Sequence, residues 1–128
     1  MKKILVFGNP YLEEDNLAVK VANSLALQGL KGFELVHCSK PDELLNYDLN
    51  EAVILDVAQG IEKVELFNDL GGLEFSVIFS LHDFDLGFFL KLLKETGKIK
   101  NVRMIGIPQG YDEKKAVDEV KAIVSKTK

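Results

Sequence analysis

The stretch Lys3-Ile4-Leu5-Val6-Phe7-Gly8-Asn9-Pro10-Tyr11-Leu12-Glu13-Glu14-Asp15 decides the fold. Residues 3–7 are an almost purely apolar run of strand length, which marks a strand buried on both faces. Gly8-Asn9-Pro10 is a turn signal that stops it. From Asp15 onward, Leu17, Val21 and Leu25 recur at helical spacing, with Leu27 as a further candidate for the apolar face. Gly29 or Gly32 marks the end of that helix. Phe33-Glu34-Leu35-Val36-His37 then alternates as a second strand. Strand, helix and strand in this order open a parallel βαβ unit.

The same alternation continues along the chain. In Ser39-Lys40-Pro41-Asp42-Glu43-Leu44-Leu45, Ser39 reads as the cap of a short helix with Pro41 in its first turn. Ala52-Val53-Ile54-Leu55-Asp56 predicts a buried strand over 52–56, with Asp56 at its end. Lys63-Val64-Glu65-Leu66-Phe67 alternates as a half-exposed edge strand and leads to a loop at Gly71-Gly72. Residues 75–79 read either as a strand or as an extended segment leading to His82. Asp85 caps a helix through Phe88, Phe89, Leu92 and Leu93 to Gly97. Val102-Arg103-Met104-Ile105-Gly106-Ile107 is the last buried strand, closed by Pro108. A final amphipathic helix carries Ala116, Val117, Val120, Ile123 and Val124. The pattern predicts an α/β fold: a three-layer αβα domain with a mostly parallel twisted sheet and an edge strand, residues 1–128 forming one domain. No internal repeat, low-complexity segment or linker interrupts it.

Composition narrows the function classes. With 47% hydrophobic and 28% charged residues in 128, the chain has the make-up of an ordinary globular domain. A net charge of −4 with dispersed lysines argues against a nucleic-acid partner, which needs a basic stripe. Lys121, Lys126 and Lys128 suit the carboxyl end of a helix better than a binding arm. A single cysteine, Cys38, excludes an intrachain disulfide and a cysteine-based zinc site, and it is expected to be a buried bystander. Met1-Lys2-Lys3 before Ile4-Leu5-Val6-Phe7 imitates a signal peptide, but four apolar residues are too few for one or for a membrane span. The expectation is a cytoplasmic monomer without a membrane partner.

Asp15, Asp56 and His82 each stand where a predicted strand gives way to the next part of the chain. Ligands of open α/β sheets bind beyond the carboxyl ends of the strands. Two carboxylates and an imidazole there form a three-ligand set suited to nickel or zinc, whereas magnesium favours oxygen alone. Each residue also has a structural reading. Asp15 can cap the helix it precedes, His82 can be a satisfied residue between strand and helix, and Asp56 needs a partner because buried carboxylates require one. His37, in an alternating strand, has no such context and reads as incidental. The set points to metal recognition or hydrolysis, and since neither Gly-x-Ser-x-Gly nor His-Glu-x-x-His occurs, hydrolysis would use water. A metal would then act as Lewis acid, or one carboxylate as general base.

Four segments resemble, in order, the motifs of the hydrogenase maturation endopeptidases, which process the large subunit of nickel-iron hydrogenases. Gly8-Asn9-Pro10-Tyr11-Leu12-Glu13-Glu14-Asp15 is similar to the opening motif, and Val53-Ile54-Leu55-Asp56-Val57-Ala58 to the second acidic motif. Ser80-Leu81-His82-Asp83-Phe84-Asp85-Leu86 resembles the Ser-x-His motif and Ile105-Gly106-Ile107-Pro108 the final Gly-x-Pro. The resemblance implies that Asp15, Asp56 and His82 are catalytic and engage nickel, supplied by the substrate, with zinc or cadmium as surrogates. It implies a hydrogenase large-subunit precursor as partner and the removal of its C-terminal extension as reaction. The chain departs from the pattern at Asn16 and Ala18, where Gly-x-Gly often follows the acidic pair, and in a short connection between residues 57 and 75.

Two other readings stay open at this level. A receiver-like signalling domain would use Asp56 as phosphoacceptor and Ser80 as the hydroxyl after it. However, no acidic pair stands directly at the end of the first strand, and Ile107-Pro108-Gln109 offers no lysine. A nucleotide-binding flavodoxin-like domain would want a glycine-rich phosphate loop, and Gly8-Asn9-Pro10 supplies one glycine.

Overall fold

The computed structural model describes residues 2–8, 16–39, 41–59, 61–68, 79–80 and 103–126. Its strands are β1 (Lys2–Phe7), β2 (Phe33–Cys38), β3 (Ala52–Gln59), β4 (Glu65–Asn68), β5 (Phe79–Ser80) and β6 (Arg103–Pro108). They form one six-stranded sheet in the order β2-β1-β3-β6-β4, with β5 joined to β3 alone. The β1/β2, β1/β3 and β3/β6 pairs are parallel, while β4 on β6 and β5 on β3 are antiparallel. Helices α1 (Leu17–Gln28) and α2 (Glu113–Lys126), with 3-10 helices at Pro41–Asn46 and Leu49–Glu51, complete the described elements. The α/β reading with a mostly parallel sheet therefore holds, and the edge strand predicted at 63–67 is β4.

Burial follows from the alternation of side chains across the sheet. Ile4 and Val6 of β1, Val53, Leu55 and Val57 of β3, and Ile105 and Ile107 of β6 share one cluster with α1 and α2. Leu5, Phe7, Ile54, Ala58 and Met104 face the other way, against Cys38, Leu44 and Leu49. A central strand clothed on both faces has to be apolar at successive positions, as residues 4–7 are. α1 buries Ala18, Val21, Ala22 and Leu25, one stripe at helical spacing. It ends where Gly29 turns to φ +75° and its N–H reaches the carbonyls of Leu25 and Ala26 at 3.1 and 3.2 Å. α2 is capped by Asp112, whose carboxylate accepts the Lys115 N–H at 2.8 Å, and buries Ala116, Val117, Val120 and Val124.

Several expectations shift in detail. α1 opens at Leu17 with Asn16 as its cap residue, without a side-chain cap bond, rather than at Asp15. Leu27 is 90% exposed, because it falls two residues after Leu25 and so on the far side of the helix. The short helix after Ser39 is of the 3-10 type, and it is the Ser39 N–H that donates, to the Glu43 carboxylate. β3 does not stop at Asp56 but runs to Gln59, because β6 pairs as far as Ala58 and β5 pairs at Ala58 and Gln59. Pro108 closes β6 from inside, as its last residue. The helix expected after Asp85 and most of the segment 75–79 lie outside the described residues.

Candidate functional site

β1 is left in two directions. The chain passes through α1 to β2 on one side of it, while β3 lies on the other. The gap between the carboxyl ends of β1 and β3 is thus the point where strand order reverses, and open α/β sheets bind their ligands there. Gly8 follows β1 at this point, buried and at φ +153°, a value side-chain-bearing residues rarely adopt. Asp56 lies on β3 beside it.

Asp56 is 0% exposed, the one charged side chain so deeply buried among the described residues. Its Oδ1 accepts the N–H of Val57 at 2.8 Å. By alternation it shares a face with Ile54 and Ala58, the face turned away from α1 and α2. Its register partner on β6 is Gly106. A Cβ at Gly106 would meet Ile61 Cδ1 at 3.1 Å and Phe67 Cε2 at 3.2 Å, so apolar side chains fill the space next to the carboxylate on that side. Taking a carboxylate out of water in such surroundings is costly unless its oxygens are met by donors or cations. An interior acidic residue at the reversal of strand order therefore marks a functional site more readily than a structural one.

Glu65 stands across Gly106 on β4, two strand spacings from Asp56, about 10 Å between Cα atoms. Ile61 and Phe67 fill the space between. These two carboxylates therefore do not form a proton-sharing dyad, which needs contact distance. Cys38 is buried, and burial first, then the Glu43 charge, pushes its thiol up to about 11. That suits the bystander expected from the sequence and not a nucleophile.

Of the three residues singled out in the sequence, the structure describes Asp56 alone. Asp15 directly precedes Asn16, and His82 follows Ser80 by two residues; both lie outside the described residues. Among the described residues, no three His, Cys, Asp or Glu side chains come together as a metal site. The donor chemistry of Asp56 with a second carboxylate and an imidazole fits nickel or zinc. Two open grooves of about 550 and 480 Å³ lie elsewhere, beside Leu66 and Ile123 and beside Leu30 and Phe33. His37 is the residue that the sequence reading undervalued. Its Nε2 lies 3.1 Å from the carbonyl oxygen of Gly8. Its position next to last in a strand, at the carboxyl end of the sheet, was the signal available.

No protein-family model and no curated protein sequence matches the chain. Solved structures do. The nickel-iron hydrogenase maturation protease HybD from Thermococcus kodakarensis superposes with a TM-score of 0.69 at 24% identity, over 99% of each chain. The hydrogenase maturating endopeptidase HybD from E. coli gives 0.71 at 19% identity, over 99% of this chain and 94% of that one. A hydrogenase 2 maturation peptidase from a Thaumarchaeota archaeon gives 0.58 at 16% identity, over 99% and 97%. The chain has the fold of these proteases along nearly its whole length. No helix among the described residues is long and apolar enough to cross a membrane.

Proposed function

We propose that this chain is an endopeptidase of hydrogenase maturation. In this reading it cuts the C-terminal extension from a nickel-loaded precursor of a nickel-iron hydrogenase large subunit, in the cytoplasm and as a monomer. Asp15, Asp56 and His82 engage the nickel that the precursor brings, so the metal belongs to the substrate and its presence licenses the cut. Zinc or cadmium would occupy the same donors as surrogates.

The observation that carries the proposal is Asp56, a fully buried carboxylate beside the reversal of strand order, in a fold shared end to end with hydrogenase maturation proteases. Register adds support. Ala58 pairs antiparallel with Ser80, Asp56 precedes Ala58 by two residues, and His82 follows Ser80 by two. In sequence, His82 therefore stands two residues past the strand that pairs with the end of β3. Asp15 adjoins the cap of α1, the helix entered from the carboxyl end of β1. Cys38 is too buried and too weakly acidic to attack a peptide, so the nucleophile is water, with a carboxylate accepting its proton.

The receiver reading loses ground on topology. Receiver sheets follow the order 2-1-3-4-5, whereas here β6 takes the fourth place and an antiparallel β4 the last. Co-expression with a hydrogenase large-subunit precursor, read by gel shift, tests the proposal. The chain should shorten the nickel-loaded precursor once, near its carboxyl terminus, and leave nickel-free precursor intact. Efficient cutting of nickel-free precursor would overturn the role given to the metal. A phosphate adduct on Asp56 after incubation with acetyl phosphate and magnesium, seen by intact mass, would restore the receiver.

A further inference from the structure

We propose that His37 is a positioning residue that clamps the carbonyl of Gly8 and so fixes the direction in which the chain leaves β1 toward Asp15. Strands β1 and β2 are parallel, with Val6 opposite His37 and Phe7 opposite Cys38. Gly8 is therefore the first residue after β1, one position beyond the last pair of that ladder. Alternation puts His37 with Leu35 on the face of α1, while Val36 and Cys38 pack on the other. From there the imidazole reaches past the end of the ladder, and Nε2 meets the Gly8 oxygen at 3.1 Å.

A carbonyl oxygen only accepts, so Nε2 carries the hydrogen and the tautomer is fixed by the contact. The clamp holds a residue whose backbone, at φ +153°, is open to glycine and would otherwise leave the exit direction loose. The chain is thereby held where it leaves β1 and again at α1, whose Ala18 and Val21 are buried. Asp15 belongs to the span between these two anchors. The importance of that span for cutting rests on the proposed function, whereas the clamp itself does not.

The test uses the full chain and the variants His37→Ala and His37→Gln, the glutamine amide being able to donate in place of Nε2. Imidazole 15N resonances of the wild type should show the Nε2–H tautomer at His37. Amide exchange at Gly8 and Cys38, where the clamp joins the ends of β1 and β2, should quicken about five- to tenfold in His37→Ala, the equivalent of one hydrogen bond lost, and recover in His37→Gln. Precursor processing should lose kcat in His37→Ala with KM little changed, and regain it in His37→Gln. An Nδ1–H tautomer in the wild type, or exchange at Gly8 and Cys38 unaltered in His37→Ala, overturns the clamp. The expected exchange changes with undiminished processing in His37→Ala overturn its positioning role. A wild type that cuts no precursor removes the reaction instead, and the tautomer and exchange results still decide the clamp.

Discussion

The two faces of the sheet are built to different rules. Toward α1 and α2 the central strands bury Ile4, Val6, Val53, Leu55, Val57, Ile105 and Ile107, aliphatic side chains of similar width. Toward the 3-10 helices the same strands present Leu5, Phe7, Ile54, Asp56, Ala58, Met104 and Gly106, which vary from no side chain to a charged one. The first face is a packing surface whose residues serve stability. The second departs from packing logic at Asp56 and Gly106, neighbours across β3 and β6. Departures concentrated in one place mark where chemistry outranks stability.

Adjacent residues on β3 test this contrast most strongly. Leu55 and Asp56 are both 0% exposed, on opposite faces. Leu55→Ala should cost about 2–5 kcal/mol of folding stability, read by denaturant titration, with no particular effect on processing by the remaining folded protein. A loss under about 1 kcal/mol would mean that the helix face is not the tightly packed layer described.

Asp56→Asn should do the opposite. Asparagine keeps an oxygen for the Val57 N–H, held at 2.8 Å in the native chain, and removes only the charge. The variant should fold with little change in Tm and lose processing by about 100-fold or more, as an interaction with a desolvated charge would predict. Full processing by Asp56→Asn would return Asp56 to a structural role and dissolve the distinction between the faces.

The parts legible in the sequence were those in which local pattern and tertiary demand agree. Residues 3–7 and 52–55 read as buried strands, and Val21 and Leu25 as part of a helix stripe, which burial bears out, with Ala18 rather than Leu17 completing it. The end of β3 was not legible, since Val57 and Ala58 extend it through ladders with β5 and β6, strands remote in sequence. For the same reason Asp56 was assigned to a strand end, when it lies inside the strand. The His37 contact with Gly8 was hidden more thoroughly: it depends on the β1/β2 register, which periodicity does not reveal. The sequence singles out Asp15, Asp56 and His82, and the structure describes Asp56 alone of these.

Gly106→Ala probes packing beside Asp56 without altering any charge. The new methyl would stand 3.1 Å from Ile61 Cδ1 and 3.2 Å from Phe67 Cε2, tighter than ordinary contact. Ile61 is half-exposed and its Cδ1 can turn aside, so the cost should be about 1–2 kcal/mol rather than a failure to fold. Adding Ile61→Val, which removes that methyl, should recover part of the loss in thermal melts. No recovery would assign the crowding to Phe67.

The smallest effect belongs to a second carboxylate on the face of Asp56, at the amino end of the sheet. Glu34 pairs with Lys3 in register, 2.7 Å between Oε2 and Nζ, and half of its side chain is open to water. The hydrogen bond from Lys3, and then its charge, hold the Glu34 carboxyl below the usual 4.5. A carboxyl depressed on folding stabilises the native state above its unfolded pKa, and that contribution disappears as pH falls through the folded value. Solvent screening keeps it small. Glu34→Gln should therefore lower Tm slightly at pH 7, and the two melting curves should converge in acid and again in high salt. A carboxylate proposed to be decisive at Asp56, away from water, should be nearly silent at Glu34. A large drop in Tm for Glu34→Gln that persisted in salt would show that burial does not separate the two, and the contrast between interior and surface charge on this face would fail.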